Sequence, residues 1–269
     1  MNMTRLGLTA LAAGLIIFQT TITQAAGKGE DVAAHANQGQ QLARAGKYDE
    51  AIVEYTKAIE INSKDARLYV DRGLVYRISA KIPEAMADFT KAIELAPKND
   101  VAYLERGRTE ISQNDFDPAL VDLNKAIELN PNNAVAYERR GVANHSVRKF
   151  DEALADYAVA IEKDPNNIMA FRKRADTYVA MQRFKDAIPD LEAASKLKPD
   201  DPDIMQNLMF VRAKAAPPPP PKVVAAPSPT PVPPPEGMGM PMKVGIGVGV
   251  LVLLLVIVLM AMKGRSSAE

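Results

Sequence analysis

The segment EAMADFTKAIELAP at residues 84–97 returns as PALVDLNKAIELNP at 118–131 and as EALADYAVAIEKDP at 152–165, each 34 residues after the last. This recurrence constrains the fold more than any other feature of the chain. A fixed period in this range marks a repeat architecture, in which a unit too small to bury its own apolar face is stacked on copies of itself.

Set in phase, the period divides residues 31–215 into units 32–65, 66–99, 100–133, 134–167 and 168–201, followed by a helix over 203–215. Position 8 of each unit is small: Gly39, Gly73, Gly107, Gly141 and Ala175. Position 20 is Ala51, Ala85, Ala119, Ala153 and Ala187, and position 27 is again alanine throughout. Position 24 is large: Tyr55, Phe89, Leu123, Tyr157 and Leu191. Each unit holds two segments of helical period joined by a short polar stretch such as SVRKFD. Small residues at 8, 20 and 27 let two helices approach closely, and the large residue at 24 is expected to fill the space between neighbouring units. Position 32 is Ser63 and then Pro97, Pro131, Pro165 and Pro199. Proline there stops the second helix, and sequences such as NPNN turn the chain into the next unit. Pro189 falls in the second helix pattern of the fifth unit, where a place in the first turn would tolerate it.

On these positions the chain resembles the tetratricopeptide-repeat (TPR) family over about two-thirds of its length. The resemblance implies an all-α fold: a right-handed TPR superhelix, an α-solenoid of five helix-turn-helix repeats closed by a capping helix. A repeat array needs a polar-faced cap. In 203–215 Ile204, Leu208 and Val211 share one face, with Gln206, Asn207 and Arg212 elsewhere, so this helix is expected to pack on the fifth unit and solvate its end.

A second regularity is charged. Position 7 is Arg72, Arg106, Arg140 and Arg174 in units two to five, and position 23 is Asp88, Asp122, Asp156 and Asp190; the first unit has Gln38 and Glu54 instead. The common spacing predicts that each arginine meets the aspartate of its own or an adjacent unit. The alternative is two independently solvated charges.

The resemblance also implies a concave groove, lined by first helices, that binds an extended peptide or a partner's helix. Its lining would carry Arg44, Arg67, Arg77, Arg108, Arg139, Arg172 and Lys173 against Asp71, Glu105, Glu138 and Asp176. Arginine forks match carboxylates, so the expected partner segment is acidic or ends in a free carboxylate. An ordinary solvated surface is the other reading. The chaperone-tail-binding TPRs place Lys and Asn at set groove positions where this chain has Ala36, Gln40 and Asp71, which argues against that ligand.

Outside the repeats, residues 1–26 read as a signal peptide: Arg5, the uncharged run LGLTALAAGLIIF, then small residues before a cut near Ala25 or Ala26. A retained N-terminal anchor is the alternative. Residues 217–242 hold 12 of the 20 prolines and read as a polyproline spacer, with an SH3-type ligand as the sharper alternative. Residues 244–262 carry no charge and read as a single transmembrane helix, followed by a cytoplasmic tail at 263–269 containing Lys263 and Arg265. Gly245 and Gly249 form a GxxxG pair that would support a weak homodimer, although glycine is common in membrane helices. A cleaved signal and this charge bias agree in setting the repeats outside the cytoplasm, on the periplasmic or extracellular side.

Function classes narrow accordingly. Lys+Arg and Asp+Glu are equal at 33, so the basic excess of a nucleic-acid binder is missing. Without cysteine there is no disulfide, thiolate site or Cys nucleophile, and the two histidines, His35 and His145, lie in different units. No phosphate loop or GxSxG elbow occurs. The sequence therefore predicts no enzyme, metal or cofactor, but a membrane-tethered scaffold or adaptor that binds protein or peptide partners. The alternatives are a tail-anchored cytosolic adaptor and an accessory subunit of an envelope enzyme or secretion complex.

Overall fold

The computed structural model describes residues 29–216, and among them all regular structure is helical. Eleven helices follow one another: α1 over 29–44, α2 Tyr48–Ile61, α3 Ala66–Ile78, α4 Ile82–Leu95, α5 Asp100–Ser112, α6 Phe116–Leu129, α7 Ala134–Ser146, α8 Phe150–Lys163, α9 Ile168–Ala180, α10 Phe184–Leu197 and α11 Pro202–Ala215. Each packs on the next in sequence, and odd-numbered helices also touch one another from α3 to α9. This is the all-α solenoid expected from the period. The expected signal peptide, proline-rich linker, transmembrane helix with its Gly245–Gly249 pair, and cytoplasmic tail lie outside the described residues. Among the described residues no helix is long and apolar enough to cross a membrane.

The unit boundaries have local causes. Asp65, Asn99, Asn133, Asn167 and Asp201 cap α3, α5, α7, α9 and α11, each side chain accepting a backbone N–H of the first turn. The C-caps of the second helices are Asn62, Ala96, Asn130, Asp164 and Lys198, so Pro97, Pro131, Pro165 and Pro199 stand just beyond the caps, where no helical N–H is needed. Between the two helices of every unit one residue is left-handed: Gly46, Ala80, Asn114, Arg148 and Gln182. Around it the chain closes a six-residue bond, as from Lys81 N–H to Tyr76 C=O at 2.8 Å. Only the first unit uses glycine for this Schellman turn.

Position 24 differs from its expected place between units. It lies over position 8 of its own unit: a Cβ added to Gly73 would sit 2.7 Å from the Phe89 ring, and one on Gly141 2.7 Å from the Tyr157 ring. Phe89, Leu123 and Tyr157 are fully buried there, and the alanines at 51, 85, 119, 153 and 187 are equally inaccessible.

Two further expectations are corrected. Pro189 is the sixth residue of α10, not part of its first turn, because the helix begins at Phe184. It removes one interior N–H bond to the preceding turn, on an exposed face. The cap is also not simply polar. Ile204, Leu208 and Val211 are buried against the fifth unit as expected, but Met205, Met209 and Phe210 are 46%, 63% and 45% exposed.

Candidate functional site

The charged ladder is built into the stacking. Arg72 donates through Nε and Nη2 to Asp88 at 2.8 Å each, and Arg174 likewise to Asp190 at 2.8 and 2.6 Å. Arg106 grips Asp122 at 2.6 and 2.9 Å, and Arg140 grips Asp156, whose second oxygen also accepts from Asn144 at 2.9 Å. Every pair joins the two helices of one unit. The third guanidinium nitrogen reaches back to the preceding unit: Arg72 to Thr56 at 3.0 Å, Arg106 to Thr90 at 3.1 Å and Arg140 to Asn124 at 2.7 Å. These acceptors all stand at position 25. The signal is present in the sequence as Thr, Thr and Asn, and it stops at Ala158, so Arg174 lacks that bond. In the first unit Glu54 instead meets Lys57 at 2.7 Å and His35 at 2.6 Å, and these two partners hold its carboxyl below the usual range.

The proposed groove residues divide into groups. Arg77 of α3, Arg108 of α5 and Arg139 of α7 gather on successive units. Glu105 joins the first two: Arg108 Nη1 donates to Oε1 at 2.7 Å, and Arg77 Nη2 lies 3.2 Å from Oε2. Burial pushes the Arg77 guanidinium down, Glu105 opposes this, and Arg108 and Arg139 add to it. Next along, Glu138 is 2% exposed. Its Oε2 lies 3.2 Å from Arg139 Nε, while its Oε1 is buried without a hydrogen-bond partner. Burial raises its carboxyl above the usual range against the pull of Arg139, Arg108 and Lys173. Lys173 stands 3.4 Å from Asp176 on α9. Nearby, His145 Nδ1 lies 2.8 Å from Thr177 Oγ1, and burial lowers the imidazole's basicity.

Arg67 does not join this cluster. Its guanidinium folds back on the capping Asp65 at 2.9 Å and is otherwise exposed. Arg67 and Asp71 border a separate cleft of about 620 Å3 between α1 and α3, whose wall includes Val32, Ala36 and Leu68. Burial there raises the Asp71 carboxyl. Arg44 and Arg172 form no ion pair among the described residues. The seven cations are therefore one central cluster of three with Lys173 beside it, and outliers. No group of residues among those described could hold a metal ion.

The family described as TPR repeat matches residues 39–77 and 107–147, and that described as tetratricopeptide repeat matches 66–99 and 173–201. The matched segments are tetratricopeptide repeats. Among solved structures the TPR chain is similar to YrrB, described as a TPR protein with an unusual peptide-binding site (26% identity, TM-score 0.55, 73% of this chain and 97% of that one). It shares its fold with the MamA protein (22%, TM-score 0.55, 63% and 93%) and with PilF of Pseudomonas aeruginosa (17%, TM-score 0.62, 70% and 89%). No curated protein sequence matches it. TPR repeats are protein-interaction modules that typically have no catalytic role, and the TPR match favours protein or peptide partners for this chain.

Proposed function

We propose that the protein is a membrane-tethered, non-catalytic scaffold whose TPR groove binds acidic protein segments at Arg77, Arg108 and Arg139. The observation that carries the reading is the convergence of Arg77 and Arg108 from successive units on the buried Glu105, with Arg139 of the next unit beside Glu138, whose other oxygen has no partner. A carboxylate entering this cluster replaces an internal acid at the guanidinium forks, and a peptide N–H satisfies the Glu138 Oε1. Desolvated forks of this kind bind carboxylates more strongly than exposed lysines do. The similarity to YrrB supports a peptide as the ligand class.

The tether completes the mechanism. Residues 244–262 hold the chain in the bilayer, and the prolines of 217–242 extend it at about 3.1 Å per residue. Confinement to the surface raises the local concentration of whatever the groove displays. The repeats lie on the outer side and the C-terminus in the cytoplasm. A mature N-terminus at residue 26 or 27, read by mass spectrometry, is the expected result; an intact Met1 with repeats accessible only from the cytoplasm would favour the tail-anchored topology.

The groove is tested with the full chain and matched peptide libraries, one acidic and one basic. Acidic peptides are expected to bind, with affinity falling as salt screens the charges. Arg108→Ala and Arg139→Ala should each weaken binding about tenfold, the loss of one charge-assisted hydrogen bond. Equal binding of both libraries, or binding indifferent to these substitutions, would remove the proposed site.

A further inference from the structure

Two positions of the repeat change character along the proposed groove lining. Position 5 is Ala36, Val70, Leu104, Glu138 and then Arg172. Val70, Leu104 and Glu138 are buried. Ala36 is the smallest of the five, and Ala33 stands about one turn before it. Alpha-carbon stubs of this size leave open, between α1 and α3, room that larger side chains take in later units. That room is the cleft of about 620 Å3. Position 6 is Asn37, Asp71, Glu105, Arg139 and Lys173, so its charge reverses sign between the third and fourth units. Glu105 is already held by Arg77 and Arg108. Asp71 is not held. It borders the cleft and forms no ion pair among the described residues. Its neighbour Arg67 is committed to Asp65, at 2.9 and 3.2 Å.

We propose that the α1–α3 cleft receives a lysine or arginine side chain of the same acidic segment that the arginines bind. This rests on the groove reading above and adds a charge pattern to it. Val32, Ala36 and Leu68 give the cleft an apolar wall, and Asp71 sets an uncompensated acid at its border. That pairing suits a long basic side chain, whose methylene stem packs on apolar surface while its charged head seeks a carboxylate. Burial, which raises the Asp71 carboxyl, leaves that acid to gain from an incoming cation. Asp71 lies one unit from Arg108 and two from Arg139. At about 10 Å between packed helices and about 3.3 Å per residue of extended chain, the basic residue stands about three to six residues from the acid.

The test uses the full chain and fluorescent peptides carrying one pair of aspartates in an alanine and serine background. A single lysine is walked from two to seven residues away, on either side of the pair. At a separation of about three to six residues, lysine is expected to tighten binding about tenfold over alanine. Asp71→Asn and Ala36→Leu should each remove that advantage, so that lysine and alanine peptides bind alike. Leucine already stands at position 5 in the third unit, as Leu104. Lysine without advantage at any position, or an advantage that survives both substitutions, overturns the proposal. Binding of the alanine peptide that still falls with Arg108→Ala would then keep the groove reading. An alanine peptide indifferent to Arg108→Ala removes that reading and this inference together. A lysine advantage seen only in a chain starting at Gly29 also overturns the proposal, and gives the cleft to the chain's own preceding residues.

Discussion

Arg106 holds Asp122 in a two-bond fork, Nε to Oδ2 at 2.6 Å and Nη2 to Oδ1 at 2.9 Å, while its remaining nitrogen donates to Thr90 of the preceding unit at 3.1 Å. One side chain thus ties three helices, α4, α5 and α6. Asp122→Ala leaves a half-buried guanidinium unpaired and is expected to cost about 2–3 kcal/mol. Replacing both partners, Arg106→Met with Asp122→Leu, should cost less than the single change, because no buried charge is left over. Urea unfolding of the full chain, followed by helical circular dichroism, compares the two. A double variant less stable than Asp122→Ala would show that the pair itself, not the orphaned charge, dominates.

Gly73 lies so close to Phe89 that a methyl group would approach the ring to 2.7 Å, and the ring is fully buried. Gly73→Ala gains about 1 kcal/mol of helix propensity but forces an overpacking that costs about 1–3 kcal/mol, so a net loss of about 1 kcal/mol is expected. The fifth unit already shows the compatible combination, Ala175 with Leu191. Adding Phe89→Leu to Gly73→Ala should therefore recover stability relative to Gly73→Ala, and thermal unfolding decides it.

Glu110 sits at position 11 of the third unit with Oε2 buried and unpaired. Burial, with the Asp122 charge beside it, pushes its carboxyl up to about 7. In the unfolded chain a glutamate titrates near 4.3. The folded state thus binds more protons between these values, and stability falls as pH rises from about 4 to about 7. The loss should be on the order of 1–2 kcal/mol once partial solvation is allowed for. Glu110→Gln should raise the unfolding midpoint above pH 7 and flatten this part of the pH profile. An unchanged profile would place the titration elsewhere.

Ala80 adopts φ 59°, a left-handed conformation that an L side chain holds at a cost of about 1–2 kcal/mol. Ala80→Gly relieves it, less about 0.5–1 kcal/mol for the greater freedom of the unfolded chain. A gain of about 0.5–1 kcal/mol is expected from denaturant midpoints. The equivalent change at Ala87, inside α4, should instead destabilise by about 1 kcal/mol.

The sequence by itself determined the helical units, because a 34-residue phase with small residues at 8, 20 and 27 admits paired helices that stack and little else. Asn and Asp before the first helices, and Pro after the second, likewise declare their roles locally, since a cap or a missing N–H acts within one turn. The left-handed residue of each unit was not legible: after Gly46 the chain uses Ala, Asn, Arg and Gln there, and the turn is imposed by the packing of both helices. Tertiary structure also decided which cations converge. Arg67 and Arg77 lie on the same helix, yet Arg67, two residues after the cap, folds onto Asp65, while Arg77 in the last turn reaches Glu105 across a unit boundary, a contact that only the stacking of α5 on α3 supplies. The same stacking bares Met205 and Met209, because whether a face is covered depends on the next helix, and no residue of α11 records that.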